Sequence, residues 1–395
     1  MKFTFKTTIV SCFIAYIVQA VVNNFSPLLF ITFNETYQIP LSQITLLVSI
    51  NFAVQLTVDL LATKYVDRIG YRPCIVAAHF FAASGLCLLA ILPEYMEPFT
   101  GLMIAGCTYA IGGGLIEVLI SPIMERCPTD NKEAAMSLLH SFYCWGHVGV
   151  VLISTFFFYV MGIKSWKLLA FVWALIPLLN AFIFMKTPIV PLISEGETGM
   201  SVKELFANKT FWLLLIMMIC AGASEQSVSQ WASAFAEQGL GVDKTIGDLA
   251  GPMMFAISMG TARAIYGKYG EKIDLDRFMK GSTILCIGSY LMISMAPFPV
   301  LSLVGCSICG FSVGCMWPGT FSKASVALKT GGTAMFALLA LGGDLGCSAG
   351  AAVVGVATEW FGGNMKYGIL TAVLFPVLLA VCLFGTKSKQ SHVQI

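Results

Sequence analysis

The amino-acid sequence predicts an all-α, polytopic membrane protein of twelve transmembrane helices arranged as two six-helix bundles. Three observations predict it: too little polar surface for life in water, twelve apolar stretches of spanning length, and basic residues gathered in alternate connections. Of 395 residues, 57% are apolar and 11% charged, where a soluble domain carries about 25% charged residues. A soluble chain so poorly covered would expose wide apolar patches. The net charge of +2 leaves no footprint for nucleic acid and implies no acidic partner. Thirteen cysteines are scattered singly. Cys306 and Cys309 form a C-x-x-C inside a hydrophobic run and read as small buried thiols rather than as a metal or redox pair. No metal or other cofactor is expected.

A span needs about 20 mostly apolar residues, and helices alone satisfy their backbone groups within one segment in lipid. Met1 to Lys6 is a short basic lead, and the apolar run to Phe33 is too long for a cleaved signal. It is read as the first span, 8–33. The others are 43–65, 73–92, 99–125, 134–160, 165–186, 210–238, 246–268, 278–297, 299–322, 332–358 and 365–385. With the N-terminus in the cytoplasm, the even-numbered connections and both termini carry eighteen Lys and Arg. The odd-numbered connections carry four: Lys164, Lys167, Lys244 and Lys366. This asymmetry puts both termini inside and requires an even number of spans. The longest polar stretch, Thr187 to Lys209, holds Glu195, Gly196, Glu197 and Gly199. It divides the chain into an N-terminal bundle (1–186), a cytoplasmic linker (187–209) and a C-terminal bundle (210–395). Pro122 late in span four and Pro318 late in span ten are each followed by a polar stretch and an Ala-Met pair, Ala135-Met136 and Ala334-Met335. Two parallel six-helix repeats around a shared site is a transporter arrangement.

Ionisable groups at membrane depth are costly and mark function. Here they are Asp59, Glu117, Glu225, Arg263 and Asp344, with His79, His140 and His147. Glu117 follows Gly112-Gly113-Gly114 and precedes Pro122 by five residues. The glycines permit close helix approach, and the proline loosens the next turn. Glu117 is read as a proton-holding carboxyl, the alternative being a neutral carboxyl bonded to a neighbouring helix. Glu225 lies among Ser224, Gln226, Ser227, Ser229, Gln230 and Trp231, a mixture suited to solute hydroxyls and a sugar face, or else to a polar helix seam. Asp59 and Asp344 are either coupling groups or structural hydrogen-bond partners. Arg263 is five residues from Lys268 and is read as snorkelling to the cytoplasmic face or as a structural partner. His140 and His147 share a face of span five with Tyr143.

The connection after span two, Thr63-Lys64-Tyr65-Val66-Asp67-Arg68-Ile69-Gly70-Tyr71-Arg72, resembles the major facilitator signature G-x-x-x-D-R-x-G-R-[RK]. Thr63 replaces its first glycine and Tyr71 its first Arg. The resemblance implies gating roles for Asp67, Arg68, Gly70 and Arg72, with Asp67 capping a helix of the other half, at Gly331-Gly332-Thr333. Further stretches resemble the fucose–galactose–glucose:proton symporter family. Asn23-Asn24 is similar to its paired asparagines, Glu117 through Pro122 to its L-E-x-x-x-N-P, and His140 to Gly146 to its Q-T-F-N-S-F-G. Glu225 and Trp231 resemble its span-seven Glu and aromatic, and Trp317-Pro318-Gly319-Thr320-Phe321-Ser322 its Y-P-T-I-F-S. Pro27 stands where fucose-type members carry an Asp.

These readings converge on a secondary transporter, and not an enzyme, importing a small neutral solute, a hexose or related sugar, with protons. The solute is expected at Asn23, Asn24, Glu117, His140, Tyr143, Glu225, Gln226, Gln230, Trp231 and Trp317. Proton coupling is expected at Glu117, helped by Glu225, Asp344 or Asp59. The protein is expected to act as a monomer in the cell membrane, with the lipid bilayer, the solute and protons as its partners. An exporter of cationic or amphiphilic drugs by proton antiport also fits buried acids and aromatics. A non-transporting sensor on the same fold is the reading from another class. Anionic solutes are disfavoured, since spans one and seven carry no Arg or Lys at depth.

Overall fold

The structure, a computed structural model, describes residues 3–39, 41–190, 199–232, 235–236, 240–242 and 249–385. Among them there is no strand. Ten helical segments among the described residues are long and apolar enough to cross a membrane. The other two predicted spans also hold helices: span two in Leu41–Ile69 and span eight in Met254–Tyr269. Parts of spans seven and eight, of the linker and of the basic tail, with Glu195, Glu197, Lys244, Lys387 and Lys389, lie outside the described residues.

The chain divides into two compact units. The first comprises Met1–Ala207 with Leu328–Leu341, and the second Asn208–Ala327 with Gly342–Ile395. In the first unit the helices are α1 (Phe5–Asn24), α2 (Phe30–Tyr37), α3 (Leu41–Ile69), α4 (Tyr71–Tyr95), α5 (Pro98–Arg126), α6 (Lys132–Met161), α7 (Trp166–Phe184) and α8 (Val202–Ala207). The second holds α9 (Lys209–Ser229), α10 (Met254–Tyr269), α11 (Leu275–Met295), α12 (Pro299–Val313), α13 (Met316–Ala327), α15 (Met365–Thr371) and α16 (Leu374–Gly385). Helix α14 (Gly332–Trp360) begins in the first unit and ends in the second.

Local chemistry fixes the helix starts. Glu97 accepts from the backbone N–H groups of Phe99 and Thr100 at the head of α5, and Pro98 follows it at the first helical position. Asn131, Asn208 and Asp274 cap α6, α9 and α11 in the same way. The first span is not one helix as expected: α1 ends at Asn24, and a 3-10 turn over Ser26–Leu29 carries Pro27. Span ten is likewise broken, α12 ending at Val313 and α13 starting at Met316.

In the first unit the glycine run of α5 decides how closely other helices approach. A methyl group on Gly112 would lie 2.6 Å from Ala78 O on α4, and one on Gly114 would lie 3.1 Å from Val58 on α3. In the second unit α9 and α14 meet backbone to backbone. A methyl on Gly222 would come within 2.2 Å of Gly343 O, and one on Gly346 within 2.1 Å of Ile219 O. Such seams are how helices pack where lipid supplies no hydrophobic drive between them.

Candidate functional site

In the first unit, α1 presents Tyr16, Gln19 and Asn23 at the i, i+3, i+7 spacing of one helix face. Each meets a polar group from a neighbouring helix. Asn23 Oδ1 accepts from Gln55 Nε2 of α3 at 3.0 Å. Gly113 faces the same place: a methyl there would press on Val22 at 3.3 Å and touch Gln55 at 3.7 Å. Gln19 Nε2 donates to Glu117 Oε2 of α5 at 2.6 Å. Tyr16 OH lies 3.2 Å from Ser121 Oγ and 3.3 Å from His140 Nε2, and those two are themselves 3.3 Å apart. The result is a ladder of polar contacts along α1. Glu117 is half-buried on it, with one carboxyl oxygen on Gln19.

The other expected residues of this unit are less alike. Asn24 turns its amide back to Ala20 O at 2.9 Å. Tyr143 is half-buried against the apolar core. Asp59 is fully buried one helical turn from Gln55. His79 is tied into packing: Ile75 O lies 2.7 Å from Nδ1, which therefore carries the proton, and Asn180 Nδ2 donates to Nε2 at 2.9 Å and to Ser11 O at 3.0 Å. His147 is half-buried on α6.

The signature residues also fall within the first unit. Thr333 Oγ1 at the start of α14 donates to Asp67 Oδ1, and Tyr71 OH shares the same threonine. Asp67 thus engages a hydroxyl at the segment the sequence pointed to. Burial pushes its carboxyl above the usual range, and the Thr333 hydrogen bond opposes this in part. Gly70 has φ +99°, a conformation that suits glycine. Arg72 donates to Phe184 O at 2.8 Å and Met185 O at 2.9 Å, capping the last carbonyls of α7. Arg68 and Lys64 line a cleft of about 490 Å³ with Asp67, Ser201 and Gly331.

In the second unit Glu225 on α9 pairs with Arg263 on α10, with Arg263 Nη2 3.4 Å from Glu225 Oε2. Arg263 does not snorkel: it is 4% exposed and turned into the unit, and its Nε donates to Gly314 O at 2.7 Å. That contact brings a cation from span eight to Glu225, although spans one and seven carry no Arg or Lys at depth. Trp231 donates from Nε1 to Ala351 O of α14 at 2.9 Å. Gln226 and Asp344 are half-buried, and Gln230 is exposed. Trp317 is buried, and a methyl on Gly343 would lie 2.1 Å from its ring. Sequence reasoning missed Tyr16, Gln19 and Gln55, and it named Arg263 without its partners. The first two were signalled by their spacing from Asn23 on one helix face.

Among the described residues no cluster of three or more His, Cys, Asp or Glu is placed to hold a metal ion. The thirteen cysteines are free thiols, and Cys306 and Cys309 are both buried on α12.

The sequence profile of the Major Facilitator Superfamily matches residues 9–351. The chain belongs to that superfamily. In fold it is similar to the transporter FucP in the outward conformation, with TM-score 0.82 and 14% identity over 96% of this chain and 99% of that one. It is similar to a variant of the E. coli fucose:proton symporter FucP, with TM-score 0.80 and 14% identity over 96% and 98% of the two chains. It is also similar to the proton:xylose symporter XylE bound to 6-bromo-6-deoxy-D-glucose, with TM-score 0.77 and 12% identity over 96% and 95%. No curated protein sequence matches the chain significantly. The protein is therefore a multi-pass membrane transporter of the major facilitator fold.

Proposed function

We propose that this transporter carries a small neutral solute, a hexose or related sugar, into the cell together with protons. The observation that carries the reading is the Gln19–Glu117 contact on the polar ladder of α1. A carboxamide N–H bonds a carboxyl oxygen whether the acid is charged or neutral, so this partner permits Glu117 to take and release a proton. Gln55, Asn23, Tyr16 and His140 supply the mixed donors and acceptors that sugar hydroxyls need. Two of the proteins of similar fold are proton symporters of sugars, which agrees with this chemistry. Transport follows by alternating access, driven by the difference in proton affinity between two states. The proposed location is the plasma or inner membrane with both termini cytoplasmic, and the working form is a monomer.

The test is counterflow and uphill uptake of a sugar panel in proteoliposomes, comparing the parent with Glu117→Gln. Counterflow is expected to persist in the variant, while accumulation against a gradient falls to the equilibrium level. Accumulation by the variant equal to that of the parent removes Glu117 from coupling. No movement of any sugar, with proton-driven efflux of cationic drugs instead, favours the exporter reading.

A further inference from the structure

The break in span ten has a cause in the sequence. Pro318 has no backbone N–H, so the carbonyl four residues earlier, that of Gly314, loses its helical donor. The backbone opens there: Gly314 N–H bonds to Phe311 O at 3.3 Å, and regular bonding resumes with Gly319 N–H on Cys315 O at 2.9 Å. The donor that replaces the missing one is Arg263 Nε, at 2.7 Å from Gly314 O. The same guanidinium faces Glu225 through Nη2 at 3.4 Å. One buried cation therefore joins an acid on α9 to the carbonyl orphaned by a proline in span ten.

We propose that Arg263 is a positioning residue that couples the charge of Glu225 to the break at Gly314 and Cys315. With Glu225 charged, the guanidinium is held between the carboxylate and Gly314 O. With Glu225 neutral, that hold weakens and the break loosens. The inference rests on the reading of Glu225 as a proton-exchanging group. Trp317 stands beside Pro318 and packs against Gly343 of α14, so a change at the break reaches a residue expected at the solute.

Among the described residues, Arg263 forms an ion pair with the Glu225 carboxylate. Of the other titratable groups on the elements around α9, Tyr290 of α11 donates to Ser224 O at 2.8 Å. Cys315 is directed at Ala262 O at 3.8 Å, and Asp344 and Cys347 lie half-buried on α14. Cys306 and Cys309 are buried on α12, and Cys382 is half-buried on α16.

Cys315 is 1% exposed and sits in the break, which makes its thiol the reporter. The protein in proteoliposomes is treated with N-ethylmaleimide at one fixed pH, and labelling is read peptide by peptide, with Cys382 as internal reference. Glu225→Gln is expected to raise the Cys315 rate about tenfold, the effect of losing one charge-assisted hydrogen bond. Parental Cys315 labelling in Glu225→Gln overturns the proposal. If Cys306 and Cys309 also become labelled, the variant has lost its packing, and the parent then serves alone. Its Cys315-to-Cys382 ratio should rise as pH falls, and a constant ratio overturns the proposal. Labelling is independent of solute movement, so a failure here is distinct from a failure of the sugar reading.

Discussion

At the scale of single residues, the telling contacts are those where one side chain serves two masters. Thr333 gives its hydroxyl to Asp67 and meets Tyr71 OH. Thr333→Val should lower the stability of the purified protein by about 1 kcal/mol, since it leaves two polar groups without that partner. A thermal midpoint unchanged in the variant counts against the contact. The sign for Asp67 runs the other way. Its carboxyl is raised by burial, so the neutral form is favoured in the folded protein. The stability it contributes is present below the usual carboxylate range and is lost as pH rises through the raised value. Asp67→Asn keeps an oxygen for Thr333 and removes the titration. The thermal midpoint of the variant should therefore fall less than that of the parent as pH rises, and parallel curves would refute this.

At the scale of elements, the sequence was legible wherever the physics is local. Hydropathy located the ten long apolar helices found among the described residues, and glycine runs announced close helix crossings. What it did not reveal lies between helices. For Arg263 the sequence leaves open snorkelling or a structural role, and it does not show that the partners are Glu225 of α9 and Gly314 in the break of span ten. The orphaned carbonyl was nonetheless written in the sequence, four residues before Pro318. Tyr16, Gln19 and Gln55 were overlooked because uncharged polar residues stand out weakly in an apolar span, although their spacing on α1 and α3 is regular. Asn24 is expected from the resemblance and Gln230 from its polar neighbours, and neither signal says which face of a helix a residue occupies. The α9–α14 seam gives a prediction at this scale. Gly346→Val forces a side chain against Ile219 O, 2.1 Å from the new Cβ. Overpacking of this kind costs about 1–3 kcal/mol. Gly288→Val on α11, where a Cβ meets nothing within 4 Å, should leave the thermal midpoint near that of the parent. Equal midpoints for the two variants would mean that the seam is looser than its geometry implies.

At the scale of the whole molecule, the linker reading divides the chain in sequence at 187–209, while compactness assigns Leu328–Leu341 to the first unit. That segment is bonded in several ways. Met200 N–H donates to Thr330 O at 2.9 Å, Thr333 is held by Asp67 and Tyr71, and Ala337 is fully buried in the core of the first unit. A fragment ending at Ala207 therefore keeps the helices α1 to α8 but lacks a piece of its own core. Two side-chain hydrogen bonds are lost, worth on the order of 2 kcal/mol together, along with the apolar burial around Ala337. Expressed alone, residues 1–207 should migrate as aggregate in size-exclusion chromatography. Co-expression with residues 208–395, which supply the missing segment, should restore a sharp peak. The control is Thr333→Val in the second fragment, which should weaken that rescue without abolishing it. If residues 1–207 alone give a sharp peak with the thermal midpoint of the co-expressed pair, the segment Leu328–Leu341 is an ornament on the first unit rather than part of its core.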